Sequence, residues 1–204
     1  MPKPLSTAQI EDFRERLIEV AERLFAENGP SAVSMRQLAA ELGVSPMTPY
    51  RYFRDKDDIL AAARASGFDR FAEALETAYA TADDPVARAR NVGEAYLKFA
   101  FDHPSAYRLM FDLAQPTEVN YPELIRAATR ARATMTHYTQ GLLDAGLLVG
   151  ELEVIAHVFW AGIHGLVVLQ LGKLISPEVK FEDLWSEMWR ALSLGFAPTV
   201  APKS

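Results

Sequence analysis

Helix-start signals recur along the whole chain and restrict its fold more than any other feature. Ser6 is followed three residues later by Gln9, and Ser34 by Gln37, which is the spacing of a capping box that opens a helix. Asp84-Pro85 places a capping residue before a proline at the first helical position. Apolar residues then recur at helical spacing, and no stretch alternates polar and apolar residues as a strand does. The chain is therefore predicted to be all-α.

The predicted helices differ in length and in how they end. The first begins after Ser6 and is ended by Asn28-Gly29-Pro30, a helix-stop pattern. A long helix capped by Asp55 is expected to continue to Tyr79. Later helices are predicted over residues 85–100, from 104, over 122–145, 151–173 and 181–196, with a loop at 115–122.

The segment from Ser34 to Lys56 predicts two short helices joined by a tight turn. Gly43 supplies the left-handed residue that leaves the first helix, and Ser45 can cap the second. About three residues separate the helices, as in a helix-turn-helix. The second helix is expected to present its N-terminal side chains outward, at the end that contacts bases in this motif, namely Pro46, Met47, Thr48, Tyr50 and Arg51.

The same segment resembles the DNA-binding signature of TetR-type bacterial transcriptional regulators. The similarity rests on Gly43-Val44-Ser45, Thr48, Tyr50, Tyr52-Phe53 and Lys56, followed by Asp57-Asp58-Ile59-Leu60. It implies DNA contacts by Arg36 from the second helix and by Lys56 at the start of the fourth. The DNA-binding set that the residues and the resemblance together suggest is Arg36, Ser45, Pro46, Met47, Thr48, Tyr50, Arg51, Tyr52 and Lys56.

One position departs from the family pattern. Pro49 stands where TetR-type regulators usually have Leu, Ile or Val. A proline there removes the N–H that would bond to the Ser45 carbonyl, so the first turn of the second helix is expected to be loosened.

The resemblance also implies a division into two domains. An N-terminal three-helix helix-turn-helix DNA-binding domain is predicted over residues 1–56. A long helix is expected to join it to a C-terminal helical domain for ligand binding and dimerisation, residues 57–204.

The net charge of −6 argues against a nucleic-acid partner until its distribution is considered. Between Arg36 and Lys56 four basic side chains stand against two acidic ones, a net +2, which leaves −8 on the remainder. An acidic body with a basic tip would contact DNA at that tip. Chance clustering on a solvated surface explains the charges equally well, so the motif carries the DNA-binding hypothesis.

Several classes of chemistry have no sequence support. No cysteine occurs, which excludes disulfides, thiolate metal sites and cysteine nucleophiles. No phosphate loop, Gly-x-Ser-x-Gly elbow or His-Glu-x-x-His helix is found, so neither an enzyme nor a cofactor is expected. His157 and His164 could form a metal or pH-sensing pair, but a helical rise of about 10 Å separates them, so packed histidines are preferred. Without a secretory signal in the first eleven residues, a cytoplasmic location is expected.

Residues 151–173 form the most apolar segment. Its length would suit a membrane span, but His157, His164 and Gln170 interrupt it and no cationic flank orients it, so no membrane contact is expected. With the last helix it is predicted to form a homodimer surface, two helices from each chain. The residues assigned to that surface are His157, His164, Leu184, Trp185, Met188 and Trp189. The pattern of Trp160, His164 and Gly165 resembles the "WHG" subgroup of TetR-type regulators.

Aromatic residues and methionines of the second half suggest a cavity. These side chains could simply fill the core, but a TetR-type body would arrange their helices around a pocket for an apolar or aromatic small molecule. The predicted lining is Tyr96, Phe99, Met110, Phe111, Met135, Tyr138, Phe159 and Trp160.

These observations predict a homodimeric, ligand-responsive transcriptional regulator, most simply a repressor that binds a pseudo-palindromic operator in double-stranded DNA. Its effector would be a small apolar or aromatic molecule. Two alternatives stay open at this point: a ligand-binding or protein-interaction module whose helix-turn-helix has lost DNA affinity, and an all-α enzyme.

Overall fold

Eight α-helices and one 3₁₀ turn account for most of the residues that the computed structural model describes, 6–111 and 121–198. The helices are α1 (Thr7–Asn28), α2 (Met35–Glu41), α3 (Lys56–Tyr79), α4 (Pro85–Asp102), α5 (Pro104–Met110), α6 (Pro122–Asp144), α7 (Leu152–Leu171) and α8 (Phe181–Gly195). The 3₁₀ turn, Pro49–Arg51, lies between α2 and α3. These residues contain no strand, which confirms the all-α prediction. Most of the loop predicted at 115–122 lies outside the described residues.

Contacts divide the chain into two compact units. Unit one is drawn from Met1–Arg70 and His103–Thr129, and unit two from Phe71–Asp102 and Arg130–Ser204. The division falls within α3 and within α6, so each of these helices contributes to both units. This division reflects packing contacts alone. The boundary after residue 56 between a DNA-binding domain and a ligand-binding domain stays a prediction.

Local signals explain how unit one begins. The Ser6 side chain accepts a hydrogen bond from the Gln9 backbone, and the Gln9 side chain bonds back to Ser6, which is the capping box predicted for α1. Ser34 and Gln37 form the same box at α2. Gly43 has φ +66°, a left-handed conformation that glycine adopts without strain, and its neighbour Val44 donates to the Ala39 carbonyl at 3.0 Å.

One hydrophobic core holds unit one together. Its members come from α1, α2, α3 and α5 and from the loops between them. They are Phe13, Leu17, Ala21, Phe25, Val33, Met35, Leu38, Phe53, Ile59, Leu60, Ala63 and Leu109. This core fixes the base on which the segment between α2 and α3 rests.

The segment after Ser45 is not the α-helix that the sequence predicts. It forms consecutive turns and then the 3₁₀ turn Pro49–Arg51, with Thr48 donating to the Ser45 carbonyl at 2.8 Å. Pro46 and Pro49 each lack the N–H that helical bonding uses, and Pro49 is buried. The expected loosening at Pro49 is therefore observed and extends beyond the first turn.

Unit two packs aromatic side chains from several helices. Phe71 of α3 lies 5.0 Å from Tyr96 and 5.1 Å from Phe99, both on α4, measured between ring centroids. Gly93 of α4 lets the indole of Trp185 approach closely, because a Cβ at that position would lie 2.8 Å from the ring. Gly162 of α7 similarly seats Met188. Both α8 side chains thus fit against glycines.

Helix α7 is long and apolar enough to cross a membrane by length and composition, with a mean hydropathy of 1.8. One such helix is weak evidence for a span, because core helices meet the same test. Five of its residues are buried within unit two: Ile155, Ala156, Phe159, Ile163 and Val167. Only 28% of its apolar window is buried, so a large apolar face of α7 stays exposed in the protomer.

Candidate nucleic-acid interface and ligand cavity

The turn segment between α2 and α3 exposes most of the predicted DNA-contact residues. Met47 is 67% exposed and Tyr50 is 48% exposed. Arg36 on α2 is exposed, as are Ser45, Pro46 and Arg51, whereas Thr48 is half-buried. Residues 45–51 thus form a short tip of unit one with apolar and hydroxyl-bearing side chains. Arg51 and, on α2, Arg36 add cationic side chains.

Two of the predicted contact residues have structural partners within unit one. The Tyr52 ring is half-buried and packs 4.4 Å from the ring of Phe13, and its carbonyl accepts a hydrogen bond from Arg14. The Lys56 ammonium donates to the Pro30 carbonyl at 2.6 Å, which ties the start of α3 to the loop after α1. Both residues hold the turn segment in place, whatever contact they make with DNA.

The positive charge at the tip is smaller than the sequence count suggests. Arg54 bonds to Asp58 at 3.2 Å, and this carboxylate raises the pKa of the guanidinium. Asp58 lies just outside the segment used for the charge count, so the count could not include it. Arg51 within the turn and Arg36 on α2 are both exposed.

An open cleft of about 330 Å³ occupies another side of unit one. Its walls include Arg14, Phe53 and Asp58. Arg14 already lies over the Phe53 ring at 4.4 Å, and Asp58 already binds Arg54. These polar groups therefore serve the fold of the cleft wall.

A second, enclosed cavity lies in unit two and contains many of the predicted pocket residues. It measures only about 20 Å³, little more than one water molecule needs. Five of the eight residues predicted to line a pocket surround it: Tyr96, Met135, Tyr138, Phe159 and Trp160. Leu75, Val92 and Ile163 complete its aliphatic wall.

Three predicted pocket residues are not at this cavity. Phe99 is buried beside Phe71 and does not line it. Met110 and Phe111 belong to unit one, where Met110 packs against Gly67 and Phe111 lies 5.5 Å from Phe68. Helical periodicity predicts that these residues are buried but does not predict in which unit.

The cavity is also lined by residues that were predicted for the dimer surface. Trp185, Met188 and Trp189 of α8 close it, and Trp189 packs 4.9 Å from Phe159. These contacts are within one protomer, so the three side chains bury against their own chain. Leu184 is half-buried, and His157 is exposed with its Nδ1 2.7 Å from the Glu153 carbonyl. A part in dimerisation stays a prediction for all of them.

Two lining residues of the cavity, Tyr96 and Trp160, are joined by a hydrogen bond. Trp160 Nε1 donates to the Tyr96 hydroxyl at 3.2 Å, and the same hydroxyl lies 3.4 Å from Nδ1 of His164, which is not itself a lining residue. Burial lowers the pKa of His164 and raises the pKa of Tyr138, so both side chains are uncharged at neutral pH. No lining residue carries a formal charge. In the described part of the chain, no group of three or more His, Asp or Glu residues could hold a metal ion.

Comparisons with known proteins match both units. Residues 17–63 match the family of bacterial regulatory proteins of the tetR family, and residues 89–192 match the tetracyclin repressor-like C-terminal domain. The HTH-type transcriptional activator FasR of Mycolicibacterium smegmatis is 27% identical over 146 residues, which cover 72% of this chain and 66% of that relative. The match therefore spans just under two thirds of the relative's length.

Solved structures share the fold over nearly the whole chain. A protein of unknown function from Rhodococcus sp. RHA1 superposes with a TM-score of 0.80 at 26% identity, covering 97% of this chain and all of that one. A TetR family transcription regulator from Marinobacter aquaeolei VT8 gives 0.73 at 21% identity, covering 95% of this chain and all of its own. Because one family model alone covers half of the residues and the other covers the helix-turn-helix, the chain belongs to the tetR family of helix-turn-helix transcription regulators, a family of regulators rather than enzymes.

Proposed function

We propose that the protein is a ligand-responsive transcriptional repressor that binds a pseudo-palindromic operator as a homodimer and acts in the cytoplasm. The observation that carries the proposal is the exposed turn segment on the core of unit one, within the match to the tetR family. Met47 and Tyr50 in this segment are largely exposed in the protomer, and neighbouring exposed apolar side chains are expected where a protein binds a partner.

The proposed DNA contacts divide into two kinds. Met47, Pro46 and Tyr50 would meet base edges, where apolar groups pack against thymine methyl groups. Arg36 and Arg51 would bind phosphates, which position the protein without reading sequence. The 3₁₀ turn gives a shorter reading element than an α-helix, so fewer base contacts per half-site are expected. Lys56 and Tyr52 would support this segment and approach the backbone at its edge.

A second copy of the chain is the proposed cover for the apolar face of α7. Val154 is 57% exposed and Val168 is 46% exposed, and a shallow groove between Val154, His157 and Ala161 lies on the same face. A Cβ added at Gly165 would meet no atom, so a partner helix can approach there. Two such helices with α8 from each chain would form a four-helix interface. Half-sites would then lie one or more helical turns apart, about 34–36 Å per turn.

The cavity in unit two is the proposed effector site. The resemblance of Trp160, His164 and Gly165 to the WHG pattern supports the further proposal that the protein belongs to that subgroup. An effector would release the operator by favouring a different spacing of the two DNA-binding units. This requires that it bind the two states with different affinity. FasR is named an activator, so the sign of regulation is part of the test.

The test is selection of genomic fragments by the purified full-length protein at two salt concentrations, with the oligomeric state measured by sedimentation. Recovery of one pseudo-palindrome, bound by a dimer, is expected. Retention that is sensitive to salt but blind to sequence, or no retention, would instead favour a ligand-binding or protein-interaction module with a degenerate helix-turn-helix. Transcription from the recovered promoter with and without the protein then decides between repression and activation.

A further inference from the structure

The cavity of unit two combines an uncharged lining with a hydrogen-bonded pair of lining residues. Trp160 Nε1 donates to the Tyr96 hydroxyl, and His164 Nδ1 lies beside the same hydroxyl, outside the lining, at the distances given above. A charged group buried against such a wall would lose its hydration without gaining a counter-charge, which costs far more than burying a neutral polar group. The chemistry of the wall therefore selects against acids and amines in their charged forms.

The cavity as it stands has no room for a ligand. Small-molecule sites usually measure about 300–1,000 Å³, more than ten times the space present. Some side chains must therefore move when a molecule binds. The side chains expected to move are those of the wall that is least buried.

Helix α8 is the wall held least firmly. Tyr96 of α4 and Phe159 of α7 are 3% and 2% exposed, whereas α8 has no buried residue at all in the protomer. Its contribution consists of Trp185, Met188 and Trp189, of which the first two rest against Gly93 and Gly162. A ring system entering the cavity would take the space of these side chains at a smaller cost than that of any other wall.

The ring preference follows from the lining. Tyr96, Tyr138, Phe159 and Trp160 come from the other walls, and aromatic pairs gain from offset and edge-to-face contacts beyond simple burial. The 3.4 Å separation between the Tyr96 hydroxyl and His164 Nδ1 is long for a hydrogen bond. A ligand oxygen at the Tyr96 hydroxyl would replace this long contact with a shorter hydrogen bond.

We propose that the cavity binds an uncharged ring compound with one hydroxyl or carbonyl oxygen, which bonds to the Tyr96 hydroxyl while the rings displace Trp185, Met188 and Trp189. This deepens the effector site of the proposed function and rests on it for its biological meaning. The binding chemistry itself needs no DNA, so it can be tested separately.

Isothermal titration calorimetry of the full-length protein at neutral pH with three probes of one ring system tests this proposal. We expect 2-naphthol to bind best, naphthalene about 5- to 10-fold more weakly for want of the hydrogen bond, and 2-naphthoate at least about 100-fold more weakly because of its charge. Tyr96→Phe, which keeps the ring, should bring 2-naphthol down to the affinity of naphthalene. Tyr79→Phe, which removes a tyrosine hydroxyl outside the lining of the cavity, should change neither.

Trp185→Ala tests the displaced wall. Removal of the indole should strengthen naphthalene binding about 10-fold, because the probe no longer has to move it. A weaker or equal affinity in a variant that circular dichroism shows to be folded would remove α8 from the proposal.

Three results would overturn the ligand class: binding of 2-naphthoate as tight as that of 2-naphthol, an unchanged 2-naphthol preference in Tyr96→Phe, or binding of none of the probes. Release of operator fragments by 2-naphthol is measured separately and bears on the proposed function alone. If the protein binds the probes as expected but retains no operator, the proposed ligand class stands and the proposed repressor function is wrong.

Discussion

In unit one most of the predicted DNA-contact residues are exposed, whereas in unit two the predicted pocket residues at the cavity are mostly buried. Met47 is two-thirds exposed, and Phe159 is almost fully buried. Substitution of a tip residue should therefore change binding and leave folding alone. Substitution of a cavity residue should change both, so stability has to be measured before any loss of ligand binding is interpreted.

The largest expected effect compares one residue from each region. Phe159→Ala should lower the free energy of unfolding by about 3–5 kcal/mol, since it removes a buried ring and leaves a void. Met47→Ala should stay within about 0.5 kcal/mol of the parent. Urea unfolding at one fixed protein concentration measures both. Similar losses in the two variants would mean that the tip is part of a packed core.

Substitution of Met47 tests whether the tip contacts bases, since loss of a base contact lowers the affinity for the operator. Met47→Ala is expected to weaken binding to the selected operator about 5- to 100-fold, the range of one lost base contact, with little change for unrelated DNA. Ile10→Ala, on the surface of α1, is the matched control and should bind both DNAs as the parent does. Equal weakening for operator and unrelated DNA would assign Met47 to general affinity instead of reading.

Substitution of Arg36 should change the salt dependence of DNA binding. Arg36→Ala is expected to reduce the slope of log affinity against log salt by roughly 0.9, the value for one phosphate contact. Arg16→Ala removes an exposed arginine that pairs with Asp12 on α1 and should leave the slope unchanged. A slope that is the same in the parent and in Arg36→Ala would place Arg36 outside the interface.

Substitution of Gly93 tests how closely Trp185 packs against α4 at the cavity. Gly93→Ala should lower the free energy of unfolding by about 1 kcal/mol, because the new methyl group overlaps the Trp185 ring and this cost exceeds the gain in helix propensity. Gly141→Ala on α6 meets its nearest atom only at 4.0 Å and should be neutral or stabilising by about 0.5 kcal/mol. Stabilisation of similar size in both variants would show that α8 moves aside freely.

The smallest effect concerns His164. Burial lowers its pKa from the ordinary 6.5, so below that pH the unfolded chain binds a proton that the folded chain resists, and stability falls as the pH decreases. Unfolding midpoints measured from about pH 8 to about pH 5.5 should therefore fall further in the parent than in His164→Asn. His157→Asn, at an exposed site, should follow the parent. Parallel curves for the parent and His164→Asn would contradict this account.

Local chemistry made part of the fold predictable. The capping boxes at Ser6 and Ser34 involve residues three positions apart, so the sequence alone identifies them and the starts of α1 and α2. Pro49 is likewise a local signal, because its missing N–H predicts a loosened first turn. It did not indicate the full replacement of the helix, because that depends on how Pro49 packs against the rest of unit one.

Long-range contacts were out of reach for a physical reason. A helical pattern shows which side of a helix is apolar but not what that side meets. The pattern of α8 therefore predicts a dimer surface at Trp185 and Trp189, which stays a prediction, but does not reveal that both side chains also close the cavity of their own protomer. It likewise predicts that Met110 and Phe111 face inward, but not that they do so in unit one. The bond from Lys56 to the Pro30 carbonyl joins residues 26 positions apart, and no local signal marks it.

The three tryptophans of the chain all line the cavity of unit two, and unit one has none. Intrinsic tryptophan emission is therefore a natural optical label for one unit only. DNA added at the tip of unit one can alter that emission only if its binding changes the surroundings of Trp160, Trp185 or Trp189. A plain fluorescence titration with operator DNA, on protein without any dye, would thus record whether the two units communicate.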